Sequence, residues 1–147
     1  MTNFTNAAII VGDSRDRLTE QCIRSFYAHT DLSLCDLTVL DNATGPITRQ
    51  LLLDAWGARK EVTDPFNLTR SDHGLGGGRI TNVILQEART DQGRFLYHTA
   101  SDFYFKPGWL EALLLNWPVA EAMGVGLLGA YSHPFHLPDG PATKGIG

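Results

Sequence analysis

The chain has 147 residues, 43% hydrophobic and 19% charged, the balance of one globular domain with an ordinary core. Twelve basic against 16 acidic residues leave a net charge of −4 with no basic block, which argues against nucleic-acid binding by bulk charge. No run approaches the roughly 18 apolar residues of a membrane span. The N-terminus, MTNFTNAAIIVGDSRD, lacks a basic leader region. The two cysteines, Cys22 and Cys35, make neither a disulfide framework nor a zinc pattern, and Cys22 is expected as a reduced core residue. A cytoplasmic setting is the expectation.

The apolar run Ala7 to Gly12 predicts a central strand of a parallel sheet. It stops at Asp13-Ser14-Arg15-Asp16, where Asp13 or Ser14 is placed to cap a helix carrying Leu18, Cys22, Ile23 and Phe26 and ending near His29. Leu37 to Leu40 predicts a second strand, closed by Asp41-Asn42-Ala43-Thr44-Gly45-Pro46, and Ile47 to Trp56 a second helix, with Pro46 suited to its start. Arg59 to Val62 reads as a weaker third strand, followed by a polar loop to Ser71 and the glycine run Gly74 to Gly78. A helix over Ile80 to Thr90, a strand from Phe95, a short helix Trp109 to Trp117 and a last strand over Gly124 to Ala130 complete the pattern. This alternation predicts an α/β fold, a three-layer α/β/α sandwich with a mostly parallel central sheet, over residues 1–132. Residues 133–147, rich in Pro and Gly, read as a loop or disordered tail.

In a parallel sheet the polar strand ends Gly12-Asp13, Asp41-Asn42 and Ser101-Asp102 lie along one edge and converge on one cleft. Carboxylates there can accept from ribose hydroxyls or a base N–H, or ligate a divalent cation. Asp13 can equally be a helix cap and Asp41 an Asx turn. The glycine run fits neither G-x-G-x-x-G, since position 79 is Arg79, nor a P-loop. It leaves flexible backbone opening a helix with Arg79 in the first turn, either a solvated side chain or a diphosphate or carboxylate contact.

Taken in order, IIV followed by DSR, VLDNAT, GLGGGRITN and ASDFYFKPGWL resemble the nucleotide-binding half of GT-A-fold glycosyltransferases of the inverting family 2 type. The likeness covers roughly the first 130 residues. It implies that Asp41 contacts the base of a nucleotide sugar, UDP-linked by expectation, with Asn42 beside it and Val11, Gly12 and Asp13 lining the base pocket. Arg79 would approach the base or diphosphate. Ser101 would lie near the ribose, and Asp102 would ligate Mg²⁺ or Mn²⁺, which neutralises the leaving nucleoside diphosphate.

The departures bear on the same site. Ala100 stands where the family's D-x-D strand end has its first carboxylate, and Ile80 where A-R-N has Asn. His133 and His136 follow the predicted last strand, either as loop histidines or as ligands beside Asp102. After Asp102 the carboxylates are Glu111, Glu121 and Asp139, and only Asp139, in the tail, is free to reach a cleft as general base. The expected activity is transfer of a sugar to an acceptor hydroxyl on a glycan, lipid, protein or small molecule. The alternative is a nucleotide-sugar binding module without turnover, part of a larger assembly or completed by a second copy or a partner chain. A sugar-phosphate nucleotidyltransferase would need a glycine-rich basic loop after the first strand, which Gly12-Asp13-Ser14-Arg15 does not provide.

Overall fold

The structure, a computed structural model, describes residues 5–59, 66–90 and 95–125. The first apolar run forms β1 (Thr5–Val11), and α1 (Asp16–His29) follows. Next come β2 (Cys35–Asn42), α2 (Pro46–Arg59), β3 (Asn67–Ser71), α3 (Gly77–Thr90), β4 (Phe95–Ala100) and α4 (Trp109–Ala122). The four strands make one sheet in the order β3-β2-β1-β4, and every pairing is parallel. The chain divides into two compact units, Met1–Pro107 and Gly108–Gly147.

The sheet is covered on both faces, as parallel strands require. Side chains alternate, so one face carries Ala8 and Leu40 and the other Ile9, Val11, Leu37 and Val39, all buried. Ile80 and Ile84 of α3 pack with Ala8 and Leu40 on the first face, flanked by Ile10 and Leu96. On the second face Phe26 of α1 meets Phe105 edge-on at 5.2 Å between ring centroids, and Phe105 meets Tyr97 of β4 at 5.9 Å. Edge-to-face pairs of this kind add to the apolar burial of the rings. Helices α1 and α2 share that face, and Arg59 at the end of α2 stacks its guanidinium 3.3 Å from the centre of the Tyr27 ring. The fold class expected from the alternation is therefore the one observed, with the central sheet entirely parallel among the described residues.

Cys22 and Cys35 are free and buried. Burial pushes both thiols up to about 12, so they stay protonated and pack as small apolar groups.

Several boundaries differ from the sequence pattern. The third strand is Asn67–Ser71, which the polarity of the segment disguises as a loop. Arg59 belongs to α2, and residues 60–62 of the expected strand lie outside the described residues. Among the described residues this strand has a single partner and is half-exposed, so its sequence, Asn-Leu-Thr-Arg-Ser, needs only Leu68 as an apolar residue. Helix α4 runs through Pro118 to Ala122, beyond the stop expected at Trp117. Gly108, at its N-cap, takes φ 75°, the left-handed conformation that glycine adopts without a Cβ penalty. Residues 126–130 of the last predicted strand and the whole tail lie outside the described residues.

Phe26 is fully buried and carries the contact between α1 and the segment after β4. Phe26→Ala is expected to lower stability by about 3–5 kcal/mol, read as a fall in the urea midpoint at unchanged m-value.

Candidate functional site at the carboxyl edge of the sheet

Because all four strands are parallel, the loops that follow them emerge along one edge. From β1 the chain steps outward to β2 and then β3, with α1 and α2 on one face. From β3 it returns over the opposite face through α3 to β4, on the far side of β1. The direction of winding therefore reverses between β1 and β4. Loops leaving two neighbouring strands in opposite directions open a crevice, the place where open α/β sheets bind ligands.

Two side chains meet across that crevice. Arg15, from the loop after β1, donates from Nη1 to Oδ2 of Asp102, from the turn after β4. Their side chains are 52% and 43% exposed, so the pair faces solvent. The seam beneath it is tight: the Ser101 amide donates to the Ile10 carbonyl at 3.0 Å, extending the β1–β4 ladder by one step. Ser101 itself is only 2% exposed, which makes it part of the seam rather than of the crevice surface.

The loop after β2 is organised by Asp41, whose side chain has no exposure. Its Oδ1 accepts from the Thr44 amide at 2.9 Å, the Asx-type turn that the sequence left open. Its Oδ2 accepts from Arg49 of α2 at 2.8 Å and from Arg70 of β3 at 2.6 Å. Arg70 also donates to the Thr44 carbonyl at 3.2 Å. Burial alone would raise this carboxyl; the Thr44 amide and the two guanidinium groups overcome it and hold Asp41 below its ordinary value. Both oxygens of the expected base contact are thus engaged by protein groups. A base would reach Asp41 only by displacing an arginine.

Asp13 serves a helix other than the one expected. The cap position of α1 is Arg15, with no side-chain cap hydrogen bond. Asp13 instead crosses to the next loop and accepts from the Gly45 amide at 2.6 Å, at the start of α2. There a carboxylate satisfies an otherwise unpaired N–H and complements the helix dipole. The approach is close: a Cβ on Gly45 would lie 3.3 Å from Asp13 Oδ1, so the carboxylate would have to give slightly. One turn on, Asp16 Oδ1 accepts from the Thr48 hydroxyl at 2.6 Å, so the β1–α1 segment is tied twice to α2.

The remaining expected residues divide. The Val11 side chain is sealed in the core, so only its backbone can line a crevice. Gly12 is half-buried. Asn42 spans to the β3–α3 loop, donating to the Leu75 carbonyl at 3.1 Å and accepting from the Leu75 amide at 2.7 Å. Arg79 is exposed in the first turn of α3. Asp139, His133 and His136 lie outside the described residues. Among the described residues two non-glycines hold left-handed backbone, Ser14 at φ 66° and Ala43 at φ 54°, one in each of the loops after β1 and β2. Such residues cost energy and concentrate where loop shape serves a site.

The three arginines escaped the sequence reading. Arg15 had a usable signal, since the family's first-strand turn contains an Arg. Arg49 and Arg70 had none, being set only by the folding of α2 and β3 onto Asp41.

The fit to a divalent cation follows from these contacts. Asp102 is the one carboxylate of the β4 turn, Ala100 adds no ligand, and Arg15 already occupies one Asp102 oxygen. Among the described residues no three His, Cys, Asp or Glu side chains gather as a metal site. Of the side chains expected to hold Mg²⁺ or Mn²⁺, Asp102 is the one among the described residues.

A groove of about 790 Å³ runs between α1 and α2, bordered by Ile23, Ile47, Leu51 and Arg59. It lies on the helical flank and begins at Pro46 and Ile47, at the start of α2. Among the described residues, no helix is long and apolar enough to cross a membrane.

No protein-family model matches the sequence, and no curated protein matches it. Among solved structures the chain is similar to TarS of S. aureus, a glycosyltransferase, at 15% identity and a TM-score of 0.59 over 78% of this chain. The chain spans 20% of the length of TarS. At that identity the likeness is one of architecture, the layered α/β fold.

Asp41→Asn leaves two guanidinium groups facing a neutral amide and is expected to cost about 2–3 kcal/mol, less than a fully buried pair because both arginines reach water. The Asp41 carboxyl is lowered from 3.8 in the folded chain, so its contribution is whole above pH 3.8 and is lost as pH falls through the lower folded value. Denaturant titrations should therefore show the parent losing stability below pH 3.8 more steeply than Asp41→Asn.

Proposed function

We propose that the crevice between β1 and β4 binds the nucleoside diphosphate part of a nucleotide sugar, UDP-linked in the first instance, and that the chain is the donor-binding half of a glycosyltransferase. The observation that carries this reading is the meeting of Arg15 and Asp102 at the point where the winding of the sheet reverses. The order of the strand-end motifs and the fold shared with TarS support it. In this reading the loops after β1 and β2, locked together by Asp13 and Gly45, form the nucleoside side of the crevice. Val11 and Gly12 contribute backbone, and Arg79 approaches from the α3 side. The acceptor hydroxyl attacks the anomeric carbon from the face opposite the diphosphate. The bond to the diphosphate oxygen breaks, the hydroxyl proton passes to a carboxylate base, and the sugar is inverted. Asp139 is the base that this chain offers; a partner chain or a second copy is the other source.

A second reading, binding without transfer, is favoured by one observation. The carboxylates at the ends of β1, β2 and β4 (Asp13, Asp41 and Asp102) each already accept from a neighbouring element. None of the three stands ready as a base.

Isothermal calorimetry with UDP tests the shared part: one saturable site is expected, and absence of saturable binding overturns both readings. Incubation with UDP-sugars and mixed acceptors then separates them, since release of UDP marks a transferase and binding without release marks a module.

A further inference from the structure

We infer that Arg15 takes the part of a divalent cation in this crevice, its guanidinium neutralising the diphosphate while Asp102 holds it in position. The inference rests on the donor-binding reading above and concerns how that site meets the ligand's charge.

Electrostatics poses the problem. A dianionic diphosphate brought to the β4 turn meets the Asp102 carboxylate, and like charges at close range repel. A cation has to stand between them. The described residues assemble no site for a metal ion. They do place a guanidinium on Asp102, reaching from the other wall of the crevice.

The geometry suits that exchange. Arg15 is at the cap of α1, its direction set by the left-handed residue Ser14 before it. Asp13 and Asp16, on either side of it, are anchored to Gly45 and Thr48 of the next loop and helix. The backbone that carries Arg15 is thereby fixed on both sides. Asp102 engages Nη1, and among the described residues the other donors of the guanidinium have no partner. A planar fork with donors to spare matches phosphate oxygens, and arginine stays charged under any working condition. At 52% exposure the side chain is open to a ligand while one of its donors is held by Asp102. Asp102 is then a positioning residue, acting through Arg15.

Calorimetry on the full chain decides this, with UDP, uridine and pyrophosphate as probes, each in EDTA and in Mn²⁺. The parent is expected to bind UDP with affinities that agree within about twofold in the two buffers. Arg15→Ala should weaken UDP and pyrophosphate about tenfold or more while leaving uridine unchanged. Arg15→Lys, which keeps the charge but loses the fork, should fall between. Asp102→Asn should retain UDP binding in EDTA, because it removes a repelling charge. Arg15 is exposed, and unchanged circular dichroism and melting of the variants confirm that they fold. UDP binding that requires Mn²⁺ and vanishes in Asp102→Asn overturns the inference while leaving the donor site standing. Equal losses for uridine and UDP in Arg15→Ala also overturn it, since Arg15 would then not be reading the diphosphate. No binding of UDP in either buffer overturns the donor-site reading itself.

Discussion

Everything at the candidate site depends on β1 having a parallel partner on each side. It pairs with β2 from Thr5↔Cys35 to Val11↔Asp41 and with β4 from Thr5↔Phe95 to Ile10↔Ala100. Those two registers bring the strand ends to a common height, so Arg15 and Asp102, 87 residues apart, come within ion-pair reach. A slip of one residue would invert every side chain on a strand. In β2 it would turn Asp41 onto the face where α3 packs on Ala8 and Leu40, leaving a carboxylate among Ile80 and Ile84 with no arginine. Burying an unpaired charge is far more costly than the pairing energy of one strand step. The apolar core and the buried carboxylate therefore enforce the same register.

The edge itself is knitted by acidic side chains, each spent on a neighbouring element. Asp13 and Asp16 fasten the β1 loop to the start of α2, and Asp41 fastens β2 to α2 and β3. Two guanidinium groups on one carboxylate leave a local positive excess at the β2–β3 end, whereas Arg15 and Asp102 form a neutral pair at the β1–β4 end. A rigid sheet that fixes its loops through such contacts presents them without having to order them again when a ligand arrives.

The architecture shared with TarS is evidence about folding, because one layered α/β plan serves many chemistries. What distinguishes this chain is local: one carboxylate at the end of β4 where the related pattern has two, and a guanidinium opposite it. Asp102, the expected metal ligand, is half of an ion pair with Arg15.

By itself the sequence determined the layered α/β class, because hydrophobic periodicity is a local property. The runs at Ala7–Val11 and Leu37–Leu40 can only be buried strands, and the helical spacing of Leu18, Cys22 and Phe26 or of Ile80 and Ile84 shows which faces pack. It also determined that polar residues at the ends of β1, β2 and β4 would share an edge. The third strand stayed hidden because a half-exposed edge strand has no need of an apolar alternation, and α4 ran past Pro118 where local propensity predicts a stop. The partners at the edge were decided by tertiary structure alone. Asp13 was legible as a cap but not as the cap of α2; Asp41 was legible as a cleft acid but not as the anchor of Arg49 and Arg70. Charge pairs between loops are fixed by strand order and register, which no spacing along the chain encodes, and for that reason the crevice could be located from the sequence while the state of its carboxylates could not.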